Sequence, residues 1–248
     1  MPRQDVVFRT QDGPCPAAFF TPAAGEGPWP GVIFFMDGAG IRPAIWEMGQ
    51  RLADAGYAVL LPDLYHRSGS YAPMVPSEMF GDPAKMAQLM AMIGALGRPQ
   101  KIITTEACLD FLASSSAVKP GLYGSTGYCM GGQTSLIAAG AFPNRFAVNA
   151  SFHGGRLATD EPDSPHNFAS AMTGYVYVAG AVQDQFFDDA EKARLDAALT
   201  AANIEHLVET YDGALHGWAV SDMPVYNMGA AERHWTALLK IFSERLGG

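Results

Sequence analysis

The sequence predicts an α/β fold with a mostly parallel central sheet, helices on both faces and an antiparallel hairpin at the N-terminus. An all-apolar run at residues 32–36 is typical of a strand that is covered on both faces. Helical periodicity follows at residues 44–55, and strand and helix patterns then alternate toward the C-terminus. Because no internal repeat or linker interrupts the alternation, one domain over residues 1–248 is expected.

The elements of the N-terminal half follow from turn residues and apolar spacing. Two strand-like runs flank Asp12-Gly13-Pro14 and predict the hairpin. The helix over 44–55 ends at Gly56 and is followed by a strand over 57–61. Residues 66–100 carry Gly, Pro and Ser throughout, so we expect them to be the least regular part.

The C-terminal half continues the alternation of helices and strands. Besides a short strand at 121–124 and a helix around 136–139, the patterns predict strands at 146–152, 175–179 and 206–210 and helices at 102–113, 190–202 and 230–246. Sheets of this kind place functional groups in the loops at the carboxyl ends of their strands. The loops after the strands therefore hold the candidate site residues.

Composition narrows the class of protein. The chain has 248 residues and a net charge of −9 without a Lys/Arg run, so neither a nucleic-acid nor a membrane partner is expected. The N-terminus lacks the apolar core of a signal peptide. Its cysteines, Cys15, Cys108 and Cys129, are odd in number and far apart, which fits a reducing cytoplasm and offers no disulfide framework or metal pattern. No metal or cofactor is expected.

The stretch Gly127-Tyr128-Cys129-Met130-Gly131 has the Gly-x-nucleophile-x-Gly form of a strand–turn–helix elbow, with cysteine in place of serine. At such an elbow, the backbone N–H of Met130 would point to a developing oxyanion, and the helix N-terminus would favour the thiolate of Cys129. The pattern also arises by chance in a chain with 27 glycines. The elbow alone therefore does not decide for catalysis.

Two later loops supply the partners that a cysteine nucleophile needs, a base and an acid that orients it. Asp184 follows the strand over 175–179, and His216 follows the strand over 206–210. The order nucleophile, acid, histidine is that of the α/β-hydrolase fold. The alternatives are that Asp184 is a turn or cap residue, although Asp188 is better placed to cap the next helix, and that His216 is a loop histidine.

From Pro30 to the last helix, the chain resembles the dienelactone hydrolase family of α/β-hydrolases. The residues that carry the resemblance are those of the elbow and triad together with Pro62-Asp63-Leu64-Tyr65, Gly132 and Trp218, two positions after His216. The resemblance implies hydrolysis of an ester or lactone bond in a small molecule through a Cys-His-Asp triad, without a metal. It also implies a second oxyanion donor, the N–H of Gly38.

The resemblance further implies an acidic residue that contacts the resting thiol and helps to form the thiolate. Asp37 stands at that position, where the best-known members have the longer glutamate; the alternative is a turn residue before the glycines that follow. His153, Trp218 and Tyr65 are candidate substrate-binding residues. For His153 a structural role is the alternative.

One position departs from the family pattern. Dienelactone hydrolases hold the substrate carboxylate with arginines, one of them four positions after the catalytic histidine, where this chain has Val220. Residues 70–97 contain no arginine either, so we expect neutral esters to be better substrates than a carboxylated dienelactone.

The segment 74–92 holds five methionines, which could form a lid over the pocket. We favour the alternative that they pack in the core, because Met86, Leu89, Met90 and Ile93 share one helical face.

The sequence therefore predicts a cysteine-dependent ester or lactone hydrolase that is a monomer or small homo-oligomer. The alternatives are a thioesterase or other acyl hydrolase and, from another class, a non-catalytic member of the fold that binds a small molecule or partner. Reactivity of Cys129 with iodoacetamide near neutral pH separates an active nucleophile from an inert buried thiol.

Overall fold

A single eight-stranded sheet organises the fold, in a computed structural model that describes residues 3–247 except 70, 73 and 80. The order of the strands across it is β1-β2-β4-β3-β5-β6-β7-β8. The pairs β1–β2 and β2–β4 are antiparallel, whereas every pair from β4–β3 to β7–β8 is parallel. The strands are β1 Arg3–Thr10, β2 Gly13–Phe20, β3 Gly31–Phe35, β4 Ala58–Pro62, β5 Tyr123–Tyr128, β6 Phe146–Phe152, β7 Tyr175–Gly180 and β8 His206–Thr210. The predicted N-terminal hairpin and parallel sheet are confirmed.

Helices pack around this sheet. They are α1 Pro43–Asp54, α2 Pro76–Met79, α3 Pro83–Gly94, α4 Arg98–Ser114, α5 Met130–Ala141, α6 Asp189–Ala201 and α7 Met228–Leu246, with short 3₁₀ turns at His66–Ser68 and Pro165–Ala171. Arg51 of α1 and Glu232 of α7 form an ion pair at 2.6 Å, and α5 packs against both α4 and the second 3₁₀ turn. Within the described ranges, no helix has the length and apolar composition needed to cross a membrane.

The core lies where the central strands meet the helices. Every residue of β3, β4 and β5 is buried, as expected for strands covered on both faces. The ring of Tyr128 stacks between Phe34 at 5.0 Å and Phe152 at 5.6 Å, measured between ring centroids. Burial of each such side chain stabilises the fold by roughly 1.5–3 kcal/mol. This packing fixes the end of β5, which leads directly into the elbow.

The segment 66–100 is more regular than the sequence predicts. It contains α3 and the beginning of α4, which starts at Arg98 and not at residue 102. Both helices carry proline in their first turn, where the missing N–H has no intrahelical partner to lose. The carboxylate of Asp82 caps α3 by accepting the N–H of Ala84 at 2.9 Å. Here the prolines mark helix starts, not irregular chain.

Helix α3 covers the loop that follows β3. Leu89 and Met92 are buried, but Met90 is 49% exposed, so the predicted apolar face is wrong at that position. Leu89 packs with Ala39, and a Cβ on Gly38 would lie 2.9 Å from Cδ1 of Ile93. The Met-rich segment thus packs against the loop that carries the candidate oxyanion donor. Residues 70, 73 and 80 of the segment 66–100 lie outside the described residues.

The strand of the elbow also differs from its prediction. It runs over Tyr123–Tyr128 and not over residues 121–124. Its small residues do not read as a strand, yet the space around them explains their presence, since a Cβ at Gly124 would lie 2.8 Å from Leu246. Close packing of α7 therefore accounts for the glycine at position 124.

Candidate active site

Cys129 occupies a strained turn between β5 and α5. Its φ of 52° and ψ of −116° lie in a region that L-residues rarely adopt and that costs about 1–3 kcal/mol. The flanking glycines make the turn possible, since a Cβ on Gly127 would lie 2.0 Å from the carbonyl oxygen of Gly131, and one on Gly131 would lie 2.2 Å from that of Phe35. The predicted elbow geometry is present.

Cys129 also differs in accessibility from the other two cysteines. Cys15 and Cys108 are fully buried, whereas Cys129 is half-buried. Burial, with a smaller contribution from the charge of Asp63, raises the pKa of Cys15 to about 12. Burial likewise raises the pKa of Cys108 well above its ordinary value. Of the three thiols, Cys129 alone is placed to meet a solute.

The two other candidate triad residues are in contact. Oδ2 of Asp184 lies 2.8 Å from Nδ1 of His216, and Oδ1 of the same carboxylate accepts the N–H of Phe186 at 2.9 Å. The side chain of Asp184 is completely buried, so the carboxylate is fixed. Because an ionised carboxylate only accepts hydrogen bonds, Nδ1 must carry the proton in neutral His216 and Nε2 keeps a free lone pair.

The imidazole of His216 lies close enough to Cys129 for the two side chains to interact. Nε2 is buried and has no hydrogen-bond partner among the described residues. Burial lowers the pKa of His216, but the neighbouring Cys129 and the hydrogen bond to Asp184 outweigh this effect and raise it above its ordinary value. The surroundings of His216 therefore favour its protonated form.

The two candidate oxyanion donors are held together by Tyr65. Its hydroxyl donates to the carbonyl of Gly38 at 2.7 Å and lies 3.6 Å from Sδ of Met130. Tyr65 is itself almost completely buried. Tyr65 therefore supports the Gly38 loop and the first residue of α5, and contact with a substrate stays a prediction for it.

His153 and Trp218 lie behind His216. The ring centroid of His153 lies 5.3 Å from that of His216 and 5.4 Å from that of Trp218. His153 and Trp218 are both fully buried. Burial, aided by the charges of His216 and His234, lowers the pKa of His153 well below its ordinary value. The structure thus places a neutral imidazole and an indole against the candidate base. Contact with a substrate stays a prediction for both.

Asp37 has a different partner from the one expected. Its carboxylate oxygens accept hydrogen bonds from Nη1 and Nη2 of Arg42 at 2.6 and 2.8 Å, and Oδ1 also accepts the N–H of Ala39 at 3.0 Å. No hydrogen bond joins Asp37 to Cys129 in the described part of the chain. The expected contact with the resting thiol is therefore replaced by a buried ion pair. Arg42 was not singled out from the sequence, although it lies only five residues from Asp37.

A second buried cation near the elbow also went unnoticed. Lys101 of α4 donates to Oε1 of Gln133, one helical turn after Cys129. Nε2 of Gln133 in turn donates to the carbonyl of Arg156 at 3.1 Å. Burial lowers the pKa of Lys101 to about 8, although the charges of Asp163 and Cys129 act in the opposite direction. A lysine in an amphipathic helix gives no sequence signal that it is buried.

Val220 is buried, so the position four residues after His216 faces the core. Among the residues that the structure describes, no group of three His, Cys, Asp or Glu side chains is arranged to hold a metal ion.

Comparison with known proteins identifies the family. The model of the dienelactone hydrolase family matches residues 16–246. The chain belongs to the dienelactone hydrolase family. The sheet order and the helices around it are accordingly those of an α/β-hydrolase fold.

Individual members of the dienelactone hydrolase family are similar over nearly their whole length. The carboxymethylenebutenolidase of Rhodococcus opacus is 24% identical over 240 residues, which cover 94% of this chain and 88% of that protein. A Synechocystis sp. protein whose name assigns it the same activity provisionally is 23% identical, over 93% of this chain and 92% of its own. A Klebsiella pneumoniae structure provisionally named a dienelactone hydrolase superposes with a TM-score of 0.84 at 22% identity, covering 98% of both chains.

Proposed function

We propose that this member of the dienelactone hydrolase family hydrolyses ester or lactone bonds of small molecules through a thioester on Cys129. The observation that carries the proposal is the pairing of a strained, half-buried Cys129 at the start of α5 with a histidine held by Asp184 at 2.8 Å. A thiol, a base and an orienting acid are the parts that nucleophilic acyl transfer requires. Membership of the family supports the same reaction class.

The first half of the reaction forms the acyl-enzyme. Nε2 of His216 takes the proton of the Cys129 thiol, and Sγ forms a bond to the carbonyl carbon, whose π pair becomes the oxyanion. The N–H groups of Met130 and Gly38 stabilise that negative charge. The intermediate then collapses and breaks the C–O bond, and Nε2–H protonates the leaving alkoxide. For a lactone the alcohol stays attached to the acyl group.

The second half returns the enzyme to its starting state. His216 takes a proton from water, and the hydroxide attacks the thioester carbon in the same oxyanion site. Collapse breaks the C–S bond, releases the acid and regenerates the Cys129–His216 pair. Throughout, Asp184 keeps Nδ1 protonated and stabilises the imidazolium.

The charges around the site support a neutral substrate. The guanidinium of Arg42 is already bonded to two carboxylates, and Val220 stands where the family has an arginine. Arg42 is thus not free to hold a substrate carboxylate, and position 220 offers no second guanidinium. We expect a neutral short-chain ester to be hydrolysed better than a carboxylated dienelactone. A panel of thioesters run alongside distinguishes an esterase from the alternative, a thioesterase.

The free cysteines support a reducing compartment, the cytoplasm.

The test compares Cys129→Ala with Cys108→Ala in the hydrolysis of a p-nitrophenyl ester. Cys108 is a matched control because it is a buried thiol on α4 without a role in the reaction. Loss of the nucleophile should lower kcat by roughly 10³-fold or more. Undiminished turnover by Cys129→Ala would overturn the proposal, and a comparable loss in Cys108→Ala would show that the effect is not specific to the elbow.

A further inference from the structure

Arg42 uses all of its hydrogen-bond donors within the protein. Nε and Nη2 donate to the two oxygens of Asp222 at 2.7 and 2.9 Å, and Nη1 and Nη2 donate to those of Asp37 at 2.6 and 2.8 Å. Nη1 also donates to the carbonyl of Gly40 at 3.0 Å. A guanidinium has five N–H groups, so none is left over. Since the Arg42 side chain is only 3% exposed, it is also shielded from solutes.

The partners of Arg42 lie on two segments that are far apart in sequence. Asp37 and Gly40 flank Gly38, the candidate oxyanion donor, on the loop between β3 and α1. Asp222 lies six residues after His216, on the segment that connects β8 to α7. The contact between Arg42 and Asp222 spans 180 residues of chain. One buried side chain therefore cross-links the loop of an oxyanion donor to the segment of the candidate base.

We propose that Arg42 is a positioning residue that fixes the Gly38 loop relative to His216. Asp37 is then the counter-ion of Arg42 and not an activator of the thiol. The inference rests on the proposed function, because it concerns the geometry of that same site. Both oxygens of Asp37 bind the guanidinium of Arg42, and Oδ1 also accepts the N–H of Ala39, so the hydrogen bonds of this carboxylate go to Arg42 and its own loop and not to Cys129. Activation of the thiol is thereby left to His216.

The contacts of Arg42 with Asp37 and Asp222, called the clamp below, affect the transition state more than the bound substrate. Gly38 N–H must lie close to the oxyanion only once the charge has formed, whereas substrate binding depends less on it. Weakening the clamp should therefore lower kcat by about 10- to 100-fold while KM changes by less than about 3-fold. A residue that only supported the fold would lower the thermal midpoint without this split.

The experiment uses Asp222→Asn, Asp37→Asn and the double variant of the full chain, with Glu232→Gln as matched control. Glu232 binds Arg51 of α1, the helix that begins directly after Arg42, in an exposed bidentate pair at 2.7 and 2.6 Å that spans 181 residues. We expect both single variants to lose kcat, the double variant to lose little more than either, and Glu232→Gln to keep it. Additive losses would overturn the clamp, because they would indicate separate roles for the two carboxylates.

The rate of Cys129 alkylation by iodoacetamide as a function of pH separates the two roles of Asp37. A counter-ion predicts that Asp37→Asn does not slow alkylation. Slower alkylation in Asp37→Asn but not in Asp222→Asn would identify Asp37 as an activator and contradict the proposal. If Cys129→Ala is inactive while Asp222→Asn keeps the wild-type kcat, only the clamp fails; if Cys129→Ala stays active, the proposed function fails.

Discussion

One oxygen of the Asp184 carboxylate lies 2.8 Å from Nδ1 of His216, while the other accepts the N–H of Phe186 at 2.9 Å. The acid is thus fixed by its own loop before it fixes the imidazole. Such an arrangement sets the tautomer of the histidine, which is the property that a triad acid contributes. It makes Asp184 the residue whose conservative replacement is most informative.

Asp184→Asn should lower kcat for a p-nitrophenyl ester by roughly 10³- to 10⁴-fold, because the amide can turn its NH₂ toward Nδ1 and leave the proton on Nε2. The fold should persist, since the amide oxygen can still accept the N–H of Phe186. Asp188→Asn is the control: Asp188 caps α6 by accepting the N–H of Glu191 at 2.8 Å, and Asn caps a helix about as well. Equal kcat values for the two variants would contradict the triad.

Gly131→Ala should destabilise the fold and inactivate the enzyme. The new Cβ would lie 2.2 Å from the carbonyl oxygen of Phe35, which is backbone and moves only with β3. We expect a loss of at least about 2–3 kcal/mol in the free energy of unfolding. Urea denaturation measures it, with Gly94→Ala in α3 as control because nothing lies within 4 Å of a Cβ there. A Gly131→Ala variant as stable as that control would show that the turn is not tightly packed.

The charge of Lys101 should make stability depend on alkaline pH. Burial gives its amine a pKa of about 8 in the folded chain, against about 10.5 when unfolded, so the unfolded state binds the extra proton between these values. Relative to Lys101→Met, the wild-type chain should therefore gain roughly 3 kcal/mol in the free energy of unfolding as the pH rises from 8 to 10.5. Urea titrations across this range test it. For the exposed Lys240→Met, the difference in free energy of unfolding from the wild type should not change with pH. If the difference for Lys101→Met is equally independent of pH, the lowered pKa of Lys101 is refuted.

A buried histidine should make the fold sensitive to acid. Nδ1 of His234 donates to the carbonyl of Ala231 at 2.7 Å, and Nε2 accepts from the hydroxyl of Tyr128 at 2.9 Å. Burial lowers the pKa of His234 to about 3, whereas the unfolded chain binds that proton below about 6.5. The contribution is complete above pH 6.5 and is lost as the pH falls toward 3.

His234→Gln removes this titration while keeping a donor and an acceptor. Between pH 6.5 and 4.5, the wild-type chain should lose about 2–3 kcal/mol more than the variant, which urea denaturation at the two pH values measures. Parallel losses in both proteins would mean that His234 is protonated in the folded state.

The sequence predicted the elements whose local pattern is complete. The strands over residues 146–152 and 206–210 were predicted with the bounds that the structure has, and the elbow follows from its own glycines. The beginning of α4 was missed because Pro99 and Gly97 read as loop residues, although both are compatible with a helix start. Similarly, the spacing on α3 could not tell Met90 from Met92, since burial depends on the loop that the helix covers.

The candidate site was predictable only as far as strand ends and chain order allow. Asp184 and His216 could be proposed together because both follow parallel strands. Arg42 could not, because its second partner, Asp222, is 180 residues away and no local pattern joins them. The resemblance to the family implies a contact between Asp37 and the thiol of Cys129. In the structure, both oxygens of Asp37 instead accept hydrogen bonds from the nearby Arg42.

The central claim is that the acyl group of the substrate is carried by Cys129. Mass spectrometry of the enzyme, quenched in acid during turnover of p-nitrophenyl acetate, tests it directly. The account predicts an acetyl group on the peptide that contains Cys129 and no such label in Cys129→Ala. Acetylation of a different residue, or equal labelling of Cys129→Ala, would contradict it.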